Sequence, residues 1–174
     1  WSSDVCSSDL LPSKKIKLSK LNNVENLELI PVKLEHILIS PDNHTYALIS
    51  GEDKDIAIPL NSYEGSMLSF VFKGLHKSSH INTIHQILVK FINDQDTKIE
   101  SIYLESKVGD IIYASLHFVD NKHRRFYSIC SLIDALILAM INKTQIYVVK
   151  QAWDKIDSFD DWQYDEFIID WSHE

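Results

Sequence analysis

Glycine and proline are scarce, four of each in 174 residues, and that scarcity removes several kinds of chemistry. A phosphate-cradling Gly-rich loop and a nucleophile elbow both need glycines clustered at fixed offsets. Gly51, Gly65, Gly74 and Gly109 stand far apart. Only two cysteines are present, Cys6 and Cys130, and Cys6 falls in a stretch set aside below. Cys130 alone supports neither a disulfide nor a cysteine metal site and is expected to be a buried reduced thiol. Long hydrophobic runs are missing as well: the most apolar stretch, around Leu132–Ile141, is interrupted by Asp134 and falls short of the roughly 20 residues a bilayer requires. No charged-then-apolar leader is visible. The expectation is a cytoplasmic protein with no membrane partner.

A dominant charge is also lacking over most of the chain. The formal net charge is −8, but residues 11–150 hold 16 basic against 15 acidic side chains, whereas residues 151–174 hold one Lys against eight acids. The body is near neutral, so any phosphate-binding surface would have to be a local patch.

What is present, 45% hydrophobic and 24% charged residues, suffices for one domain with a real core. Residues 1–10 repeat Ser-Ser-Asp at 2–4 and 7–9; they resemble translated adapter sequence and are expected to be disordered and no part of the fold. Residues 11–31 mix Lys14, Lys15, Lys17 and Lys20 with leucines in no clean period, which reads as a linker or arm. From Val32 three β-rich runs, 32–40, 45–50 and 55–60, are separated by turn chemistry at Pro41–His44 and Gly51–Lys54. Asn61-x-x-Glu64 then offers a capped helix start, with Gly74 as its stop. A second helix is expected over His80–Asn93, with Ile84, Ile87, Leu88, Phe91 and Ile92 on one face. The order then recurs: strands over 98–105, 111–119 and 124–130, and a helix opened by Ser131-x-x-Asp134. That helix is apolar nearly all round, which suits burial on most sides, and a β-branched run, 145–150, follows it. The pattern predicts an α+β domain over residues 32–150, in which duplicated β-β-β-α units form a mostly antiparallel sheet with helices laid on its apolar face.

Residues 151–174 differ in character. Trp153, Trp162 and Trp171 recur every nine residues among acids, a spacing that cannot put all three on one helix face. Such an acidic aromatic extension either tucks its rings onto its own body or docks on a partner.

Asp134-Ala135-Leu136-Ile137-Leu138-Ala139-Met140 running into Ile146-Tyr147-Val148, Glu64 with its apolar helix closed by Gly74, and Asp110-Ile111-Ile112-Tyr113-Ala114-Ser115-Leu116 together resemble the bifunctional nuclease domain family of bacteria and plants. The resemblance covers about residues 32–150. Where that family usually has Arg-Pro-Ser before its last helix this chain has Ser131-Leu132-Ile133, and where it tends to have Thr-His-Asp this chain has His80-Ile81-Asn82. The resemblance implies metal-dependent hydrolysis of phosphodiester bonds in DNA or RNA.

Such hydrolysis generally needs carboxylates that hold a divalent cation, here Mg or Mn, to activate water. Glu64 and Asp134, equivalent in the two units, are the candidate catalytic pair and would lie close together if the halves packed symmetrically; both also fit helix-capping positions. Lys122, Arg124 and Arg125, beside His123, are the candidate nucleic-acid contacts, or else a solvated hairpin tip. His76, His80 and His85 lack the spacing of a zinc site and read as surface histidines. Two functions follow as expectations: a nuclease-like enzyme, or a non-catalytic regulatory or protein-interaction module that retains the fold. Exposed edge strands make a homo-oligomer an expected partner state.

Overall fold

Alternation of apolar residues drives the first three strands, β1 (Leu29–Ile39), β2 (Thr45–Ser50) and β3 (Asp55–Leu60), into an antiparallel meander. The computed structural model describes residues 28–78, 82–108, 111–156, 158–159 and 168–169. Helices α1 (Ser62–Phe72), α2 (Leu75–Ser78) and α3 (Ile84–Asp94) follow, then β4 (Thr97–Val108), β5 (Ile111–Asp120), β6 (Arg125–Ser131), α4 (Leu132–Asn142), β7 (Ile146–Val149), α5 (Lys150–Trp153) and β8 (Ile168–Ile169). The class is α+β, as the sequence pattern predicts, and β-β-β-α order occurs twice, with α2 and α3 added after the first unit.

The strands join in one sheet ordered β3-β2-β1-β7-β4-β5-β6, with β8 paired to the end of β1. Only β7 and β4 run parallel among the described pairs; all other neighbours are antiparallel. Strand β7 is the seam, joining β1 of the first unit to β4 of the second. It reaches that place because α4 carries the chain from the β6 edge back over the sheet. Seven of the eleven α4 residues are buried, Leu136 to Ala139 among them, in a core with Leu68 and Val71 of α1 and with Ile37, Ile49, Ile102, Leu116 and Val148 of the strands.

Three expectations change. Residues 28–31 belong to the fold rather than to an arm: Leu29 to Val32 pair with Val149 to Ile146, and only residues 1–27 of the expected artefact and arm lie outside the described residues. Helix α3 begins at Ile84, capped by Thr83, not at His80, which lies outside the described residues. Its apolar stripe does not face the core. His85 and Val89 are the buried residues, while Ile84, Ile87, Leu88 and Phe91 are exposed and only Ile92 is partly covered. The core beneath is already filled by α4, so α3 rests against α4 and β4 on its narrower side.

The start of the C-terminal extension tucks onto its own body. Trp153 is fully buried, its Nε1 donating to Asp53 Oδ1 at 2.7 Å. Phe159 packs on Leu38 and Leu48, on the sheet face away from α1, and β8 pairs with Leu38 and Ile39. Trp162 and Trp171 lie outside the described residues. No described helix is long and apolar enough to cross a membrane.

Candidate functional site

Each long helix opens on a polar residue followed three positions on by a group able to reach back, and the three helices use that pair differently. At α1 the Asn61 side chain accepts the Glu64 N–H at 2.9 Å, and Glu64 Oε2 accepts the Asn61 N–H at 2.9 Å. This is a complete capping box, and it accounts for the position of Glu64. Thr83 and Gln86 close the same box at α3, and Gln86 Nε2 also donates to the His76 carbonyl at 3.0 Å. At α4 the box is half made: Ser131 Oγ accepts the Asp134 N–H at 3.1 Å, but the carboxylate does not return to the Ser131 backbone. Asp134 Oδ2 accepts the Ser131 hydroxyl at 2.7 Å. Its Oδ1 instead lies 2.9 Å from His85 Nε2, linking α4 to α3.

Burial pushes the Asp134 carboxyl up, but the hydrogen bonds from His85 and Ser131 and the His85 charge outweigh it and hold the group below its ordinary value. His85 is itself buried. Its Nδ1 is buried and meets no hydrogen-bond partner among the described residues, and the same holds for His76 Nδ1. Burial, with the Lys77 charge, pushes His76 down. The reading of these two as surface histidines is therefore corrected: both side chains are buried, and that of His85 ties α3 to α4.

Glu64 and Asp134 are not brought together. Strands β3 and β6 are the two edges of the sheet and run in opposite directions; α1 and α4 therefore start at diagonally opposite corners. Six interstrand steps of about 4.8 Å put those edges on the order of 30 Å apart. The expected symmetry places the two carboxylates far from each other rather than side by side. No cluster of three or more His, Cys, Asp or Glu able to hold a metal occurs among the described residues, and Glu64 with Asp134 does not fit a shared Mg or Mn site.

The basic cluster is largely tied into the β5–β6 hairpin. Asp120 accepts the Lys122 and Arg124 backbone N–H groups, each at 2.9 Å, and Arg124 Nε at 2.7 Å. Those donors, the Arg124 backbone foremost, hold the Asp120 carboxyl below its usual range. Arg125 Nη2 reaches Glu100 Oε1 at 3.0 Å. Each guanidinium is paired with a carboxylate while staying largely exposed, so a phosphate would compete with Asp120 and Glu100 for it.

Sequence reasoning missed an apolar concavity. A groove of about 650 Å³ runs between α3 and the β5–β6 pair, lined by Leu88, Phe91, Leu116, Phe118, Phe126 and Leu138, with His85, Asp134 and Cys130 at its polar margin. Phe118 and Phe126 stack across the strands at 5.1 Å. Cys130 is half-buried there; burial, aided by the Asp134 charge, pushes its thiol up to about 11. The signal in the sequence was the α3 stripe itself, whose direction no periodicity reveals.

On the opposite sheet face Tyr147, Tyr103, His117 and Tyr127 form a row of rings across β7, β4, β5 and β6, with centroids 5.7, 4.5 and 5.8 Å apart. Ser115 beneath it donates to Glu105 Oε1 at 2.5 Å. No protein-family model matches the sequence, and no curated protein is significantly similar to it.

Proposed function

We propose that this domain works as a non-catalytic interaction module whose binding surface is the α3–β6 side of the fold. The observation that carries it is the outward apolar face of α3, continuous with the groove and with Phe126 of β6. An amphipathic helix that turns its apolar stripe to solvent costs stability unless something covers it. The two candidate carboxylates have structural partners instead, one in a capping box and one in the bridge between α3 and α4.

The second reading is the nucleolytic one that the family resemblance implies, with Mg or Mn as cofactor and DNA or RNA as substrate. Asp134 favours it: the side chain is 52% exposed, favours its ionised form, and sits at a groove margin with a histidine. One experiment separates the two. The whole chain is incubated with single-stranded DNA and RNA, with and without Mg²⁺ or Mn²⁺, beside the Glu64→Gln/Asp134→Asn double variant, with thermal melting of both. Metal-dependent cutting that a folded double variant lacks overturns the non-catalytic reading. Absence of cutting, together with association that depends on the α3 face, supports it.

A further inference from the structure

The two edges of the sheet are built differently. Edge β3 is six residues long and carries Pro59, which has no N–H to offer, at an exposed position opposite Tyr46. Such a strand is protected against pairing with another chain. Edge β6 has seven residues, Arg-Phe-Tyr-Ser-Ile-Cys-Ser, with no proline, glycine or lysine, and pairs with β5 in unbroken register from Val119↔Arg125 to Tyr113↔Ser131. Its outer backbone groups meet no other described strand. Apart from the charge of Arg125 at its first residue, paired with Glu100, none of the usual devices that discourage edge-to-edge pairing is present.

The exposed apolar residues gather at this edge. Of the nine large hydrophobic side chains that are exposed among the described residues, six lie on α3 or β6, with Ile84 at 69%, Ile129 at 62% and Phe91 at 61%. Ile129 stands on the Tyr127 face, away from the groove; the other five share the helix side and, at roughly 200 Å² for a large side chain, leave about 500 Å² of apolar surface open. A standard interface buries about 800 Å² per partner, its core more apolar than its rim. The patch is therefore large enough to be the core of a stable interface.

We infer that the occupant is a second copy of this chain, joined by antiparallel pairing of β6 with β6 about a twofold axis through Ser128. This rests on the binding-surface reading above and names its partner. An axis perpendicular to the sheet keeps side chains of one parity on one face, so the register centres on a residue. Centred on Ser128 it pairs Phe126 with Cys130, Tyr127 with Ile129 and Arg125 with Ser131, uses all seven residues and sets no like charges against each other. The same axis leaves both copies' helices on one side, so the apolar faces of the two α3 helices meet across the seam. The interface is isologous, with the sheet continuous through both copies.

Sedimentation of the whole chain over roughly a hundredfold range of concentration tests this. The expected result is a dimer whose dissociation constant rises at least about tenfold in Phe91→Glu and in Ile129→Lys, while Tyr63→Glu, an exposed change on α1, leaves it unmoved. Ser128→Cys in a Cys6→Ser/Cys130→Ser background should form an intermolecular disulfide, because residues facing each other across an antiparallel pair stand about 4.5–5.5 Å apart at Cα. A dimer indifferent to both patch substitutions overturns the inference. A monomer that binds an apolar fluorescent dye in a Phe91-dependent way also overturns it, yet leaves the binding surface standing for another partner. A monomer that binds no dye overturns both.

Discussion

Truncating Trp153 tests whether the start of the acidic extension is a structural part of the domain. The indole is fully buried, its N–H donates to Asp53, and the Lys54 ammonium stands 5.4 Å from the ring centre. A side chain of this size removes up to about 250 Å² from water, on the order of 6 kcal/mol at about 25 cal/mol per Å². Partial collapse of the surroundings returns some of that, and buried Trp→Ala changes cost about 3–5 kcal/mol. In a chain of this length the melting temperature should fall by roughly 6–20 °C. Trp153→Phe keeps most of the packing and gives up the indole bond, after which Asp53 is solvated, so its cost is nearer about 1 kcal/mol. Gly51 supplies an internal check. A Cβ there would lie 2.5 Å from Trp153 Cζ2, so Gly51→Ala should cost about 1–3 kcal/mol in the parent chain and almost nothing once Trp153 is Ala. Urea denaturation followed by far-UV circular dichroism across the four-member cycle reads that coupling. A Trp153→Ala chain within about 1 kcal/mol of the parent, or a strictly additive cycle, refutes the docking of this segment.

Asp134→Asn should lower stability at neutral pH by about 1 kcal/mol, since the half-exposed side chain is screened by solvent. Folding lowers this carboxyl, so its contribution is present above the unfolded value near about 3.9 and is lost as pH falls through the folded value; parent and variant should converge in acid melts, and a gap that widens there contradicts the assignment. Glu64→Ala breaks one arm of the capping box and should cost about 0.5–1 kcal/mol, whereas Glu64→Gln can keep both arms and should melt with the parent. Cys130, pushed up to about 11, has only about a thousandth of its thiol ionised at pH 8 against about a quarter for a free thiol. Peptide-resolved alkylation should therefore be slower by on the order of a hundredfold in the native chain than in denaturant, and equal rates would show a solvated thiol.

The regular elements were readable because their signals are local. Turn residues at Pro41–His44 and Gly51–Lys54, the Asn61-x-x-Glu64 start and the all-round apolar α4 are each fixed by neighbours within a few positions. Burial of α4 follows from composition alone, since a helix apolar on every side has no solvent face. Helix α3 shows where this stops. Its spacing correctly marks one apolar face, but whether that face points inward depends on how much core α4 has already filled, a relation spread over more than forty residues. The His85–Asp134 bond spans 49 positions and follows no pattern in either segment. The placing of Glu64 and Asp134 failed for a similar reason: recurrence of β-β-β-α order says that two sites are alike, while the distance between them is set by β7, which joins the units between β1 and β4 and sends their helix starts to opposite corners.

The half-made capping box at α4 and the exposed stripe of α3 have one physical explanation. A helix held by its apolar face gains most of its stability from burial. Helix α3 buries only His85 and Val89 in full, so apolar packing against its own chain holds it weakly. Its anchors are polar: the Thr83–Gln86 box, the Gln86 bond to His76 and the His85 bond to Asp134. A directional bond fixes the position and rotation of a helix without covering its surface. Asp134 divides its two oxygens between the two helices, Oδ2 on Ser131 of its own N-terminus and Oδ1 on His85 of α3. The carboxylate that resembles a catalytic residue in the sequence thus fixes the rotation of α3 that keeps its apolar stripe exposed.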